Sequence, residues 1–311
     1  MPERSATIAP DAMELHYARV VRAVADTPWA ITPHMLALIT DLVAFRAAGN
    51  FLTKAEIRDR IAAEGKARAE TARVGAARSG DVAVIPLHGV ITPYAGMFTD
   101  VSGMAALDRF RARFREALSN EQVGSILVHI DSPGGSVALV EETARELFGS
   151  RGQKRLVGIS STLCASAAYW IGAQLDELVV TPSGEVGSVG VYAAHVEYSK
   201  KLENAGVTPT LIRAGKFKAE GNPYEPLSDE ARAAMQTRVN DCYDMFVKAV
   251  ARGRGVNATD VRNGFGEGRV VGAAEAVRLG MADRVATFED TLARMRNARP
   301  SSQSRRSLAF A

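Results

Sequence analysis

Cysteine, histidine and aromatic side chains are all scarce here: two cysteines, five histidines and 6% aromatic residues in a chain of 311. Two cysteines, Cys164 and Cys242, cannot build a disulfide scaffold, and no Cys/His spacing fits a zinc site. A dominant charge is missing too, since 38 lysines and arginines against 35 aspartates and glutamates leave only +3. Without a local basic cluster that balance gives nucleic acid no footprint. No stretch approaches the roughly 18 consecutive apolar residues of a membrane span. Residues 1–15 lack the basic-then-apolar pattern of a signal peptide. The expectation is a reduced, intracellular, soluble protein with neither membrane nor nucleic acid as partner. What the chain does have is an ordinary globular mixture, 47% apolar and 23% charged. That is enough for one large domain or two ordinary ones.

Three zones follow from the patterning. Residues 1–78 read as a charged helical arm. Leu36, Ile39, Leu42, Val43 and Phe45 recur at helical spacing, Gly49-Asn50 ends the run, and Thr53 to Glu56 forms a capping box. Residues 79–286 alternate strands and helices. Buried strands are predicted at 82–87, 125–130, 155–159, 177–180 and 209–213. Helical stripes lie between, on Met104, Leu107, Phe110, Phe114 and Leu118, and again from about Ser136 to Phe148. That alternation predicts an α/β fold with parallel pairing. A longer helix opens at Ser228, turns Met235, Val239, Cys242 and Phe246 inward, and stops near Gly253 and Gly255. Residues 287–311 read as a basic, flexible tail.

The chemistry concentrates in a few places. HIDSPGGSV (129–137) takes a buried strand through two glycines into a helix. Such a turn can expose backbone N–H groups to a developing oxyanion, or can simply be tight. Ser166 lies between Ala165 and Ala167-Ala168, just past a strand end. Small neighbours leave room for a substrate carbonyl, and the Ala167 N–H is a second candidate donor; a plain helix cap is the alternative. A serine nucleophile needs a base. Of the histidines, His16 and His34 fall in the arm. His88 reads as structural, and His129 faces away from Ile126, Val128 and Ile130, which leaves His195 as the best imidazole. The other candidates are Lys216 and Lys218, two apart and so on one side of an extended segment. Spacing does not choose between them. GFGEG (264–268) lacks the full dinucleotide spacing and reads as a surface turn. Cys164 reads as a buried structural thiol.

The segments VIPLHGVI, HIDSPGGSV, CASAAYW, TPSGEVGSVGVY, IRAGKFKAEGNPY and GRVVGAAEAVRLGMADRV together resemble the S49 peptidase family. That family holds the signal peptide peptidase A proteins and the phage head-maturation proteases. The resemblance runs in order over about residues 80–286, roughly two thirds of the chain. AGKFKAEGNPY and the helical arm are most similar to the lambda-type capsid protease C branch. The resemblance implies a ClpP/crotonase-like spiral of β-β-α units. It implies Ser166 as nucleophile, Lys218 as general base, and Gly135 with the Ala167 N–H as oxyanion hole. Gly134 would shape the turn, and Ser188 would orient the lysine amine. Many relatives carry Gly-Gly where this chain has Ala167-Ala168, which implies a narrower site. No metal or cofactor is implied. The implied partners are a protein or peptide substrate, further copies of the chain, and phage portal, scaffold and major capsid proteins. The implied location is the bacterial host cytoplasm or the procapsid interior.

A lysine base near neutral pH needs its ordinary value of about 10.4 lowered by about 3 units, which a dry cleft supplies. Three rival readings stand beside this one. The first is a ClpP-like Ser166/His195 triad completed by Asp131 or Asp241. The second is a crotonase-type acyl-CoA enzyme. The third is a catalytically inactive capsid scaffold with a protease fold.

Overall fold

A computed structural model describes residues 28–32, 82–95 and 104–298. Most of the expected arm, with its stripe on Leu36 to Phe45 and its capping box, lies outside these residues, as does the end of the tail. The described chain divides into two units. The larger takes in 30–32, 82–95, 104–190 and 243–298; the smaller takes in 28–29 and 191–242.

The larger unit is built from β-β-α repeats. Strand β1 is Trp29–Ile31. Strands β2 (Val82–His88), β3 (Ile91–Thr92) and β4 (Ala105–Ala106) lead into helix α1 (Leu107–Ser119). Strands β5 (Ser125–Ser132) and β6 (Gly134–Ser136) lead into α2 (Val140–Gly149). Strand β7 (Arg155–Ala165) leads into α3 (Ala167–Gly172), followed by β8 (Glu177–Val180) and β9 (Glu185–Gly187). The long strands β2, β5 and β7 pair in parallel in one sheet, while the short β1, β6, β3 and β4 form a second. The first two repeats thus each give a long strand to one sheet and short strands to the other, while β7, β8 and β9 all stay in the larger sheet; this is the ClpP/crotonase-like spiral.

Burial explains why the long strands read as unbroken apolar runs. Ile126, Leu127, Val128 and Ile130 are all fully buried, because the central strand is covered on both faces. Helix α1 turns Leu107, Phe110, Phe114 and Ala117 inward on one stripe. At eleven residues β7 is long enough to pair twice. Its first half takes β8 and its last three residues take β9, and this split delivers the strand end to the site.

Later elements close the unit. Helix α4 (Ser199–Asn204) lies in the smaller unit, and the long α5 (Asp229–Arg254) begins there. Ser228 caps α5, its Oγ accepting from the Ala231 N–H at 3.2 Å, and Gly255 at φ 67° follows its end. Cys242 and Phe246 are buried as expected, but Met235 and Val239 are only half-buried. Helix α6 (Ala258–Gly264), β10 (Val270–Gly272), α7 (Ala273–Arg278), β11 (Arg284–Val285) and α8 (Phe288–Asn297) complete the order. No helix among the described residues is long and apolar enough to cross a membrane.

Four expectations need correction. Trp29–Ile31, placed in a helical arm, is a strand; Trp-Ala-Ile is fully sheltered and is hydrogen-bonded into the small sheet. The second helical stripe does not begin at Ser136, because Gly134–Ser136 is itself a strand and the helix starts at Val140. Residues 209–213 form no strand: no neighbour pairs with them, and Ile212 is 98% exposed. The residues just past 286 are not tail. Helix α8 is capped by the Thr287 side chain, which accepts from the Asp290 N–H. It buries Met295 against Val82, Leu127, Val157, Ile159 and Val179. Sequence patterning missed it because so short an amphipathic stripe is masked by its arginines. One of these, Arg294, reaches Glu177, which also holds Arg155 at 2.9 Å and Arg284 at 3.2 Å. Burial pushes the Glu177 carboxyl up, but the three guanidiniums outweigh it and hold the group below the usual carboxylate range.

Candidate active site

Ser166 sits at the junction between β7 and α3, with φ 56° and ψ −118°. A non-glycine residue there costs roughly 1–3 kcal/mol and persists only when its surroundings over-determine it. They do. The Ser166 N–H donates to the Gly187 carbonyl at 2.7 Å, and its own carbonyl accepts from Trp170 N–H at 2.9 Å. Cys164, Ala165, Ala167, Ala168 and Tyr169 around it are all fully buried. Ser166 itself has no solvent exposure, and its Oγ–H donates to the Gly190 carbonyl at a long 3.5 Å. The hydroxyl is therefore aimed but weakly held.

The double glycine comes to this serine. Gly134 has φ 95°, and a Cβ added there would stand 2.9 Å from Ser166 Cβ and 2.1 Å from the Ala30 carbonyl oxygen. At Gly135 an added Cβ would lie 2.0 Å from the Ile91 carbonyl oxygen. Both positions require glycine because β6 is threaded between the backbones of β1 and β3. Ser132 stitches the turn: its Oγ donates to the Gly89 carbonyl at 2.7 Å and accepts from Gly134 N–H at 3.2 Å. Sequence reasoning passed over Ser132, and only its place in SPGG could have suggested it. The Ala167 N–H opens α3 and has no acceptor within the helix. Ser188 is buried at φ 54°, its N–H donating to the Arg269 carbonyl at 2.7 Å. Ser166, Gly134, Gly135, Ala167 and Ser188 all belong to the larger unit.

The lysines belong to the smaller unit and differ from each other. Lys216 Nζ lies 3.0 Å from Glu230 Oε1 and 4.4 Å above the Phe217 ring. Lys218 has no side-chain hydrogen bond or ion pair among the described residues, and it is exposed within its own unit. The Gly215–Gly221 stretch around it is a run of bends and turns, and the neighbouring Phe217 is itself 51% exposed.

His195 and Asp241 belong to the smaller unit and Asp131 to the larger. His195 Nε2 lies 3.2 Å from the Asn222 carbonyl, which can only accept, so that nitrogen carries the hydrogen. Asp131 accepts from the Thr162 hydroxyl. His129 Nε2 is 2.7 Å from Ser161 Oγ. Burial pushes the Cys164 thiol well up, which suits a structural residue. Among the described residues, no group of three or more His, Cys, Asp or Glu side chains is arranged to hold a metal ion.

A serine on a strained strand-to-helix turn, beside a glycine-lined strand and a free helix-start N–H, is the layout of a serine hydrolase on a parallel α/β fold. Residues 150–300 match the model of peptidase family S49, and this part of the chain belongs to that family. Over 217 residues the chain is 32% identical to the head-tail preconnector protein GP5 of Enterobacteria phage P21, covering 70% of this chain and 43% of that protein. It is 31% identical over 224 residues to the capsid assembly protease C of Escherichia phage lambda, covering 72% and 51% respectively. The chain thus spans about half the length of these relatives. Among solved structures, a 1510-N membrane protease specific for a stomatin homolog, from Pyrococcus horikoshii, superposes with TM-score 0.42 at 16% identity, over 69% of this chain and 77% of that one.

Proposed function

We propose that this chain is a serine endopeptidase that uses Ser166 as nucleophile and Lys218 as general base to process capsid, scaffold or portal proteins in a phage head. The observation that carries the reading is the strained, fully buried Ser166 abutting Gly134. The phage branch is supported by the relatives named as a capsid assembly protease and a head-tail preconnector. The lysine is supported by contrast, since Glu230 engages Lys216 and leaves Lys218 free for chemistry. A lysine is a base only when neutral, so bound peptide or a second copy of the chain must cover the amine in the working state. The site would act in the host cytoplasm or inside the procapsid.

The chemistry balances without a cofactor. The amine takes the Ser166 proton as Oγ bonds to the scissile carbonyl carbon. The N–H groups of Gly135 and Ala167 receive the oxyanion. The ammonium returns the proton to the leaving amine as the C–N bond breaks. Water then attacks the acyl-enzyme, the amine takes its proton, and that proton returns to Ser166 as the carboxylic acid leaves.

A fluorophosphonate probe tests the nucleophile. The native chain is expected to take the label at Ser166, and Ser166→Ala to lose both label and cleavage of co-expressed capsid and scaffold proteins while melting at the same temperature. A folded Ser166→Ala protein that still cleaves would overturn the assignment.

A further inference from the structure

Two helices start just behind the two groups assigned to the oxyanion. Helix α3 opens at Ala167, and α2 opens at Val140 on the chain that leaves Gly135. Each is preceded by a non-glycine residue in the left-handed region, Ser166 at φ 56° and Leu139 at φ 64°. Such backbones persist only where their surroundings fix them. A side-chain hydrogen bond joins the two helices: the Trp170 indole N–H of α3 donates to Glu141 Oε2 of α2 at 3.1 Å. That bond belongs to a closed ring. Arg252 of α5 reaches Glu141 Oε1 at 3.5 Å and Gln174 Oε1 at 3.1 Å. The Gln174 amide nitrogen then donates back to the Trp170 carbonyl at 3.0 Å. All four residues lie in the larger unit.

Packing alone does not call for this bond. Phe246 stacks on Trp170 with ring centroids 4.6 Å apart and planes within 6° of parallel, a place that a phenyl ring would also fill. What tryptophan adds is an indole N–H, and at 1% exposure that donor has to be paired. Pairing it with a carboxylate makes the bond strong and directional. Glu141 is in turn steadied by Arg145 at 2.6 Å, one turn along α2. Trp170 also grips Ser166 from behind, because its backbone N–H donates to the Ser166 carbonyl at 2.9 Å. Nearer the site, the two strand ends already abut at Gly134 and Ser166. The glycine contact and the Trp170–Glu141 bond together hold α2 and α3 at two points.

We propose that Glu141 and Trp170 are positioning residues for the peptidase chemistry: their hydrogen bond fixes α2 against α3 and so sets the gap between the Gly135 and Ala167 N–H groups. The inference rests on the serine peptidase reading and adds to it. Both residues act through the backbone that the oxyanion meets. An oxyanion donor works only within about 2.7–3.1 Å of the developing charge, so a small shift of either helix weakens one of the two bonds. The loss falls on the transition state, where the charge exists, and not on bound substrate. Removing the Trp170–Glu141 bond therefore lowers kcat and leaves KM in place.

The bond is cut from each end in the full chain. Trp170→Phe removes the indole N–H and keeps a ring on Phe246. Glu141→Ala removes the acceptor from a half-buried position outside the apolar core. Each is expected to lower kcat for casein about tenfold or more, with KM within about threefold. Each should also weaken, by about the same factor as kcat, a peptide aldehyde whose hemiacetal with Ser166 Oγ sets its oxygen on the oxyanion donors. The double variant should be no worse than the poorer single one, since one bond is lost once. Glu141→Gln, whose amide oxygen still accepts from the indole, should stay within about threefold of the native chain. Glu142→Ala, at the exposed neighbouring position, should match the native chain. A bond that only holds the fold together would lower the melting temperature and leave kcat and aldehyde affinity of the folded protein unchanged; that result overturns the proposal. Additive losses in the double variant, or a rise in KM alone, overturn it too. Absence of fluorophosphonate labelling in the native chain would instead sink the peptidase reading, and amide hydrogen exchange would still decide the clamp. Glu141→Ala should speed exchange across 134–136 and 167–170 about tenfold, and unchanged exchange overturns it.

Discussion

At the scale of single residues, the decisive constraint is backbone crowding around Ser166. Gly134 and Gly135 are glycines because carbonyl oxygens of Ala30 and Ile91 occupy the space a Cβ would take. That crowding presses the turn against Ser166 and leaves little freedom for either to drift. The lysines are set apart at the same scale by their partners. Lys218→Ala is expected to lose activity as completely as Ser166→Ala, by roughly three orders of magnitude or more, because groups that act as one unit fail singly. Lys216→Ala removes an exposed pair with Glu230 and should stay within about threefold. Steady-state cleavage of one peptide by the three variants checks this, and a reversed order of the lysines would move the base to Lys216.

At the scale of elements, α8 shows how much an unpromising segment can contribute. Four of its ten residues are charged, yet Phe288, Leu292 and Met295 reach the sheet over β2, β5 and β7. Met295 is 3% exposed. Met295→Ala should therefore destabilise the protein by about 2–3 kcal/mol through lost burial and the cavity left behind. Arg296→Ala, one residue on and exposed, should change stability by less than about 0.5 kcal/mol. Urea unfolding of the two variants measures both. Equal and small effects would mean that α8 is not part of the folded sheet's cover. The two halves of β7 make a related point, since pairing with β8 first and β9 afterwards is what ends the strand at Ala165, next to Ser166.

For the molecule as a whole, stability is tied to pH through two imidazoles. His88 ends β2 and His129 lies within the neighbouring β5, their ring centroids 4.5 Å apart and edge to face. Phe288 packs on the second at 4.8 Å. Burial pushes the His129 imidazole down to about 4, with His88 adding to the shift and Asp131 and Glu289 opposing it. Burial also lowers His88, against the pull of Asp131. Above pH ~6.5 neither ring is protonated, folded or unfolded, so neither costs anything. As pH falls from about 6.5 toward 4, the unfolded chain binds protons that the folded chain refuses, and stability falls. With allowance for the part of the ring that stays in water, His129 accounts for about 2 kcal/mol of that loss. Denaturant unfolding at pH 7.5 and pH 4.5 should show a smaller loss for His129→Gln than for the native chain. Identical losses would place the acid sensitivity elsewhere.

Alternating apolar runs and stripes, read from the sequence alone, determined the α/β class, the parallel long strands and most of helix α1 and helix α5. Local chemistry in SPGG and around Ser166 was legible for the same reason: tight turns and small-residue serine sites need particular residue types within a few positions. Tertiary structure alone decided what depends on distant backbone. It made a strand of Trp29–Ile31, which is too short to show a period and is held by pairing with β6. It left 209–213 without a neighbour, although its residues favour strand. It turned Met235 and Val239 toward a cavity rather than a core, since a helical stripe reports an apolar face and not what lies opposite. It also distinguished Lys216 from Lys218, because an ion pair with Glu230, fourteen residues away, is a matter of folding and not of spacing.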